Sequence, residues 1–332
     1  MTYNPSDVFT SPLVDLGQHE DARFSGVLTP APEVGTARLG VTAEFLENAE
    51  EYYQRHQAFE YWKTTLESVT APLGITDPKT IIEYGCGFGN STLPLLDLFP
   101  SANLVAMDIS PNLLTILQRL TKARDFDARC AAIAVDAHKP YVKPDVADLV
   151  VGTAILHHLV HPERLIEAAV RVVKPGGYAV FFEPFEAGYA VLRLIIRDIC
   201  REAAVREFSS PALTWLAEMS AMWLLQIKRN QLPGWENLDD KWMFSRAYFQ
   251  DVADSVNADL HISRTMNSRT VAQPLRNMLH HIVKNWRGLD VDDPTIMPAW
   301  AWAVVDQYEN EYFSDKAKED LLFAGTVVFK KR

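Results

Sequence analysis

The sequence predicts an α/β fold in which helices cover both faces of a seven-stranded mixed sheet. Three observations predict it. Short apolar or β-branched runs alternate with helical patterns between residues 80 and 182. A glycine-rich turn follows the first of these runs. An apolar run at residues 321–330, which leads into a basic end, supplies a last strand.

The first element is a strand, a turn and a helix. Residues 80–84 are β-branched or aromatic, as a buried strand requires, and a helical pattern begins near Ser91. Between them, Gly-Cys-Gly-Phe-Gly alternates glycine with other residues. Gly85 and Gly87 lack side chains, so the main chain there can approach a ligand and adopt positive φ. In an α/β fold, such a turn is where the backbone meets a cofactor.

The spacing of the glycines distinguishes two kinds of site. A dinucleotide fingerprint reads G-x-G-x-x-G, with the helix N-terminus facing a pyrophosphate. Here the third glycine comes one residue early, and the acidic Glu83 precedes the turn. A carboxylate at that place suits a cationic or amine-bearing ligand better than a pyrophosphate. A P-loop is excluded because no lysine lies between Lys79 and Lys122.

Acidic residues end the next two strands. Residues 103–109 contain Asp108, which follows Gly85 by 23 residues. An acid at the tip of a second strand can accept hydrogen bonds from both hydroxyls of a ribose. Residues 131–135 form the third predicted strand, and Asp136 follows it directly.

Two further strands complete the pattern. Residues 147–153 form the fourth and lead into Ala-Ile-Leu-His-His-Leu. Residues 162–173 form a helix that opens on proline. A Lys-Pro-Gly-Gly turn then leads into the fifth strand at residues 178–182.

Taken in order over residues 79–184, these elements resemble the class I S-adenosylmethionine-dependent methyltransferases. The resemblance implies a Rossmann-like fold, S-adenosyl-L-methionine as cofactor, and a last strand between the fifth strand and a sixth at residues 259–264. It also implies that Asp136 lies beside the adenine and accepts from its amino group. The residues expected around the cofactor are Tyr53, Glu83, Gly85, Cys86, Gly87, Asn90, Asp108, Ile109, Asp136, Ala137 and Thr153.

The remaining sequence divides around this core. The first 40 residues hold four prolines and little periodicity, which is typical of a loosely structured arm. The expected segments are a flexible N-terminal arm at 1–40, an N-terminal helical cap at 41–75, the S-adenosylmethionine-binding core at 76–184, a helical substrate or lid insertion between strands 5 and 6 at 185–250, and a C-terminal completion of the sheet with a second insertion at 251–332.

The cap is rich in aromatic residues. Residues 42–69 predict one long helix or two. Related enzymes close such a helix over the cofactor, with aromatic hydroxyls that reach the methionine carboxylate. Tyr53 and His56 are the candidates for that role. For most of the aromatic side chains, packing of the helix against the domain is the favoured interpretation.

The insertion offers two candidate acceptor contacts. Three arginines recur at every fourth position from Arg193 to Arg201 and could hold an anionic acceptor. A solvated helix face paired with Asp198 and Glu202 is favoured. Half of the eight tryptophans lie within residues 185–250. Such residues are usually core, but a lid over an apolar acceptor would also use them.

Two histidines follow the fourth strand, where the reacting methyl group should lie. His157 and His158 are the catalytic candidates, because a histidine titrates in the range useful to a general base. The alternative is that one of them only packs the loop or caps the next helix. Cys86 is interpreted as a small residue that a tight turn tolerates.

A metal site is the rival interpretation of the same histidines. Together with His161 they form H-H-x-x-H, and Glu183 or Asp136 could add ligands if the loop folded inward. Pro162 starts a new helix, so the histidines need not share a helical face. A site without metal is therefore favoured.

The composition of the chain limits the kinds of binding partner and cellular location that we expect. A formal net charge of −11 argues against nucleic acid and favours a small-molecule acceptor. Three widely spaced cysteines suggest neither a disulfide framework nor a zinc pattern. The start lacks the features of a signal peptide, and residues 212–227 are short for a membrane span and carry a glutamate. A cytoplasmic protein without stable membrane insertion is expected, and a homodimer is left open.

The predicted function is in-line methyl transfer from S-adenosylmethionine to oxygen, nitrogen or carbon of a small to mid-sized, partly apolar metabolite. One alternative is an S-adenosylmethionine-binding subunit with no activity of its own. Another is a nicotinamide-dependent oxidoreductase, which the glycine spacing and the lack of a well-placed Tyr-x-x-x-Lys dyad disfavour.

Overall fold

Nine strands form one mixed sheet in the computed structural model, which describes residues 4–36, 48–139, 141–265 and 273–332. The strands are β1 (Leu13–Asp15), β2 (Leu28–Pro30), β3 (Thr80–Tyr84), β4 (Asn103–Asp108), β5 (Cys130–Ala134), β6 (Ala147–Thr153), β7 (Val173–Pro184), β8 (Ala258–Arg264) and β9 (Ala324–Lys331).

The order across the sheet is β1-β2-β5-β4-β3-β6-β7-β9-β8. Strands β5, β4, β3, β6 and β7 pair in parallel, with Glu83 opposite Ala106 on one side and Val151 on the other. The last strand, β9, lies between β7 and β8. The predicted α/β fold, and the predicted place of its last strand, are therefore confirmed.

Twelve α-helices connect or flank these strands in the described parts of the chain. They are α1 (Leu16–His19), α2 (Ala49–His56), α3 (Phe59–Thr70), α4 (Thr92–Leu98), α5 (Pro111–Ala123), α6 (Pro162–Val172), α7 (Glu186–Val205), α8 (Pro211–Ile227), α9 (Arg246–Ser255), α10 (Pro274–His281), α11 (Ala299–Gln307) and α12 (Asp315–Asp320). None of them combines the length and the hydropathy needed to span a bilayer.

The strand count differs from the predicted seven because the N-terminal segment adds two. A flexible arm was expected there, but β1 pairs antiparallel with β2, and β2 joins β5 in parallel through Leu28 and Ile133. The Thr29 hydroxyl donates to the Ala134 carbonyl at 2.7 Å. Leu16 and Val27 are fully buried, so this segment has an apolar anchor despite its prolines.

The chain divides into two compact units. The first comprises Met1–Glu183, Ala247–Ser263 and Thr326–Arg332, and the second comprises Pro184–Arg246 and Arg264–Gly325.

Helix α5 illustrates why the first unit's sequence folds as it does. Pro111 occupies the first turn, where its missing N–H is not needed, and the Ser110 hydroxyl caps the helix by accepting from the Leu113 N–H. Leu113 and Leu117 then recur at helical spacing and are buried.

The aromatic cap consists of two helices, α2 and α3, in the described residues, and the predicted start at residues 42–47 lies outside them. Phe88, from the glycine turn, packs edge-on against Tyr52, Tyr53 and Phe59 with ring centroids 5.2–6.3 Å apart. These rings therefore form a small apolar cluster, as the packing interpretation predicts.

The second unit has an apolar core of its own. Helices α7 and α8 pack on each other, and Trp223 is fully buried against Tyr189 at a centroid distance of 5.0 Å. On α7, Arg197 and Arg201 pair with Asp198 at 2.9 and 3.7 Å, which is the surface pairing that the sequence favours. Glu202 pairs instead with Arg206.

Candidate functional site

The carboxyl ends of β3, β4, β5 and β6 lie at one edge of the sheet, because these strands pair in parallel register. Tyr84 lies opposite Met107 and Gly152, and Asp108 lies opposite Ala134. The predicted site residues at the strand ends are therefore brought together at this edge.

The three glycines of the turn differ in what surrounds them. All have positive φ: +67° at Gly85, +53° at Gly87 and +102° at Gly89. A Cβ at Gly85 or Gly89 would come within 2.6 Å of the side chain of Ile155 or Leu117, respectively. Among the described residues, a Cβ at Gly87 would meet no heavy atom nearer than 4.0 Å. Tight packing accounts for the outer glycines, whereas the central one borders open space.

Asp108 ties this turn to the tip of β4. Its Oδ2 accepts the Gly87 N–H at 2.8 Å, and its Oδ1 accepts the Ser110 N–H at 2.8 Å. Burial raises the pKa of this carboxyl, and backbone hydrogen bonds from Ser110, Gly87 and Ile109 oppose that shift. A carboxylate can accept about four hydrogen bonds, so acceptor capacity remains for a ligand hydroxyl.

Glu83 supports the turn from inside the protein. Its carboxylate is fully buried and accepts hydrogen bonds from the hydroxyls of Ser91 and Thr92, the latter at 2.6 Å. The Ser91 hydroxyl lies 2.8 Å from that of Thr153 at the end of β6. Burial raises the pKa of Glu83 to about 7, against the lowering effect of the two hydroxyls. Glu83 is thus hydrogen-bonded to Ser91 and Thr92 and, through Ser91, linked to Thr153 at the strand ends. The sequence did not identify Ser91 or Thr92 as site residues.

Asn90 has a role that the sequence did not predict. Its Oδ1 accepts the Ala58 N–H and its Nδ2 donates to the His56 carbonyl, each at 2.8 Å. Both ends of the amide are thereby engaged with the backbone between α2 and α3. These two hydrogen bonds link the glycine turn to the cap. The expected contact of Asn90 with the cofactor stays a prediction.

Tyr53 and Cys86 lie on the apolar side of the turn. The Tyr53 ring packs on Phe88, and the Arg119 guanidinium lies 5.6 Å from its centroid. Arg119 also pairs with Glu50 at 3.0 Å. Cys86 is buried, and burial raises the pKa of its thiol, which agrees with a packing role.

The end of β5 presents Asp136 and Ala137, both half-buried, as is Ile109 after β4. The Asp136 Oδ1 accepts the His138 N–H at 2.9 Å and lies 2.8 Å from that ring's Nδ1. This contact with His138 lowers the pKa of Asp136. The acid is therefore ionised at neutral pH and suited to accept from an amino group.

The predicted catalytic histidines lie in a short 3₁₀ turn, Leu156–His158, after β6. Ala154 enters this turn with φ +55°, a backbone conformation uncommon for a residue with a side chain. The ring centroids of the two imidazoles are 4.2 Å apart. His157 is buried, and its Nδ1 lies 2.6 Å from Oε2 of Glu183.

His161 has a different environment. It precedes α6 as its N-cap residue, is half exposed, and pairs through Nδ1 with Glu163 at 3.2 Å. Glu183, which the sequence considered only as a metal ligand, instead contacts His157 directly. The sequence signal for this contact was an acid at the end of the fifth predicted strand.

Comparison with known proteins identifies similar sequences. Residues 82–181 match a family model described as a methyltransferase domain. A malonyl-[acyl-carrier protein] O-methyltransferase from Paenibacillus sp. (strain JDR-2) is 32% identical over 39% of this chain and 46% of its own length. A trans-aconitate 2-methyltransferase from Methylobacterium nodulans is 30% identical over 32% and 39%, respectively. A tRNA N(3)-methylcytidine methyltransferase from Drosophila melanogaster is 28% identical over 39% and 42%.

The matched region thus spans about half the length of the curated relatives, or less. Among solved structures, a chain in a complex with the Haloferax volcanii Trm112 methyltransferase activator aligns over 85% of this chain and 92% of its own. Its TM-score is 0.50 at 14% identity, which is a likeness of fold.

Proposed function

We propose, from the match of residues 82–181 to a methyltransferase domain, that the protein is a class I S-adenosylmethionine-dependent methyltransferase and that it methylates a small to mid-sized, partly apolar metabolite. The observation that carries the proposal is the juxtaposition of Gly87 and Asp108. Among the described residues, a Cβ at Gly87 would meet no atom nearer than 4.0 Å, and the adjoining Asp108 carboxylate accepts the Gly87 N–H. A nucleoside can lie against such a backbone while its ribose hydroxyls donate to the acid.

The other residues at this edge fit the same cofactor. Asp136 would accept from the adenine amino group, with Ile109 and Ala137 beside the ring. Thr153 lies where β6 ends, connected through Ser91 to the buried Glu83. In this proposal Gly85, Cys86 and Asn90 shape the turn, and Tyr53 lines it from the cap.

S-adenosylmethionine, when bound, supplies a methyl group already activated by its sulfonium sulfur. The protein's part is then to orient the acceptor and, where the acceptor must lose a proton, to remove it. His157 accepts that proton in our proposal, because it lies in the turn after β6 with a carboxylate behind its ring. His158, whose ring centroid lies 4.2 Å from that of His157 with the ring planes tilted by 41°, shapes the same turn.

The proposed class of methyl acceptor is supported by the net charge of the chain and by the names of similar enzymes. A net charge of −11 is unfavourable for a nucleic-acid acceptor. One similar enzyme is named for trans-aconitate and another for a malonyl group on a carrier protein. A third similar enzyme is named for tRNA. Methylation of RNA by this protein would therefore contradict the proposed acceptor class. A cytoplasmic location and the role of residues 185–250 in acceptor binding remain predictions.

Two experiments test the proposal in sequence. Calorimetric titration with S-adenosylmethionine should show saturable binding, and titration with NADH should show none. Incubation with methyl-labelled S-adenosylmethionine, with a small-molecule extract and with purified RNA in parallel, should place the label in the small-molecule fraction. Absence of cofactor binding would refute the proposal, label in RNA would replace the acceptor class, and binding without label in either fraction would favour a non-catalytic subunit.

A further inference from the structure

Glu183, at the end of β7, is held by an unusually complete set of hydrogen bonds. Its side chain is 0% exposed. Oε1 accepts the N–H groups of Ile155 at 3.1 Å and Leu156 at 2.8 Å. Oε2 accepts the N–H of His157 at 3.3 Å and lies 2.6 Å from Nδ1 of the same residue. All of these hydrogen-bond partners belong to the turn that carries the candidate base.

We infer that Glu183 is a positioning residue that holds His157 in the tautomer with the proton on Nδ1. An ionised carboxylate can only accept hydrogen bonds, so the nitrogen 2.6 Å from it must be the one that donates. A neutral imidazole has one N–H, and the other nitrogen then carries the basic lone pair. Nε2 is therefore the basic atom of His157. This inference rests on the proposed function for its purpose, but not for its geometry.

The surrounding backbone explains why the carboxylate cannot simply turn away. Three consecutive N–H groups, from Ile155 to His157, converge on it and compensate for its burial. The positive φ of Ala154 bends the chain so that these groups face β7 rather than continuing β6. Rotating the Glu183 side chain would leave these three buried N–H groups without their acceptor. They therefore hold the carboxylate in place independently of its contact with Nδ1.

The arrangement has a direct chemical consequence. When Nε2 takes a proton from an acceptor, the ring becomes cationic, and Glu183 lies 2.6 Å from its other nitrogen. A carboxylate at that distance stabilises the cation as it forms. Glu183 would thus both choose the basic nitrogen and make it a stronger base, without touching cofactor or acceptor.

Glu183→Gln gives the sharpest test. The amide oxygen can serve the N–H groups of Ile155 and Leu156, which leaves the amide NH₂ towards Nδ1 of His157. Since NH₂ can only donate there, Nδ1 must lose its proton and Nε2 must gain it. Long-range ¹⁵N–¹H NMR of histidine-labelled protein distinguishes the two tautomers, with the His157 signals assigned by their loss in His157→Gln.

Glu163→Gln is the matched control, because it removes a carboxylate beside His161 Nδ1 and is distant in sequence from Glu183. We expect Nδ1–H at His157 in the native chain and in the control, and Nε2–H in Glu183→Gln. Nε2–H in the native chain would overturn the inference on its own, even if Glu183→Gln failed to fold. An unchanged tautomer in a folded Glu183→Gln would do the same. Failure of the proposed function would appear separately, as native protein that does not bind S-adenosylmethionine.

Discussion

The Asp108 carboxylate accepts the Gly87 N–H at 2.8 Å, so the acid that ends one strand fixes the turn that follows its neighbour. The two residues belong to β4 and to the loop after β3, which are adjacent in the sheet. A change at Asp108 therefore affects both the carboxylate proposed to accept from the ribose hydroxyls and the backbone that a nucleoside would lie against.

Replacing Asp108 with alanine should weaken S-adenosylmethionine binding at least tenfold, or about 1.4 kcal/mol. Calorimetric titration measures the effect, and circular dichroism establishes that the variant is folded. Asp97→Ala, which removes an acid on α4 paired with Arg124 at 3.8 Å, is the control and should bind normally. Unchanged affinity in folded Asp108→Ala would remove the ribose assignment.

Alanine at Gly87 should reduce cofactor affinity more than it reduces stability. In the part of the chain that the structure describes, the new methyl group meets no atom nearer than 4.0 Å, so the folding cost is that of a positive φ, roughly 1–2 kcal/mol. Alanine at Gly85 adds a clash with Ile155 and should cost roughly 1–3 kcal/mol more. Urea unfolding and cofactor titration on both variants test this. Equal loss of stability in the two would show that Gly87 is as tightly packed as Gly85.

Glu83 should make folding stability depend on pH. Its folded pKa is about 7, above the 4.5 of an ordinary glutamate, so the folded state retains a proton that the unfolded state has lost. Stability therefore falls as pH rises from about 4.5 to 7, by roughly 3 kcal/mol from this group. In Glu83→Gln this component should vanish. Urea unfolding at several pH values, compared between the two proteins, measures it; parallel curves would contradict the assignment.

His157→Ala should lower turnover by about 10²–10⁴-fold on an acceptor that must lose a proton, while S-adenosylmethionine affinity changes little. His158→Ala should have a smaller effect, because the contact with Glu183 belongs to His157. Initial rates with the acceptor found by labelling, beside calorimetry, separate chemistry from binding. Full activity in both variants would exclude a histidine base.

Local signals in the sequence were enough for the central strands. Each of the main signals is contained within a few residues: the β-branched run at 80–84, the glycine turn, and the acids that follow the next strands. The edge strands β1 and β2 were missed because three residues are too few to show a period of two. The buried residues Leu16 and Val27, which flank these strands, anchor the segment, and the proline-rich composition of the arm obscured them.

The supporting contacts of the site were out of reach for a different reason. Glu183 and His157 are 26 residues apart, and their contact exists only because β6 and β7 are neighbours. The same is true of the hydrogen bonds between the Asn90 amide and the backbone 32 and 34 residues earlier, which the sequence did not predict. Residue type indicates what a side chain can bind, whereas tertiary structure decides which partner occupies it.

The two hydrogen bonds of Asn90 couple the cap mechanically to the glycine turn. If a bound nucleoside makes the turn more rigid, we expect the connection between α2 and α3 to become more rigid too, because the side-chain amide of Asn90 in the turn is hydrogen-bonded to that connection. Slowed deuterium exchange of the Ala58 amide on ligand addition would report that event from outside the crevice. The Ala58 peptide group, whose N–H the Asn90 side chain accepts, would thus report binding at the turn without contacting the ligand.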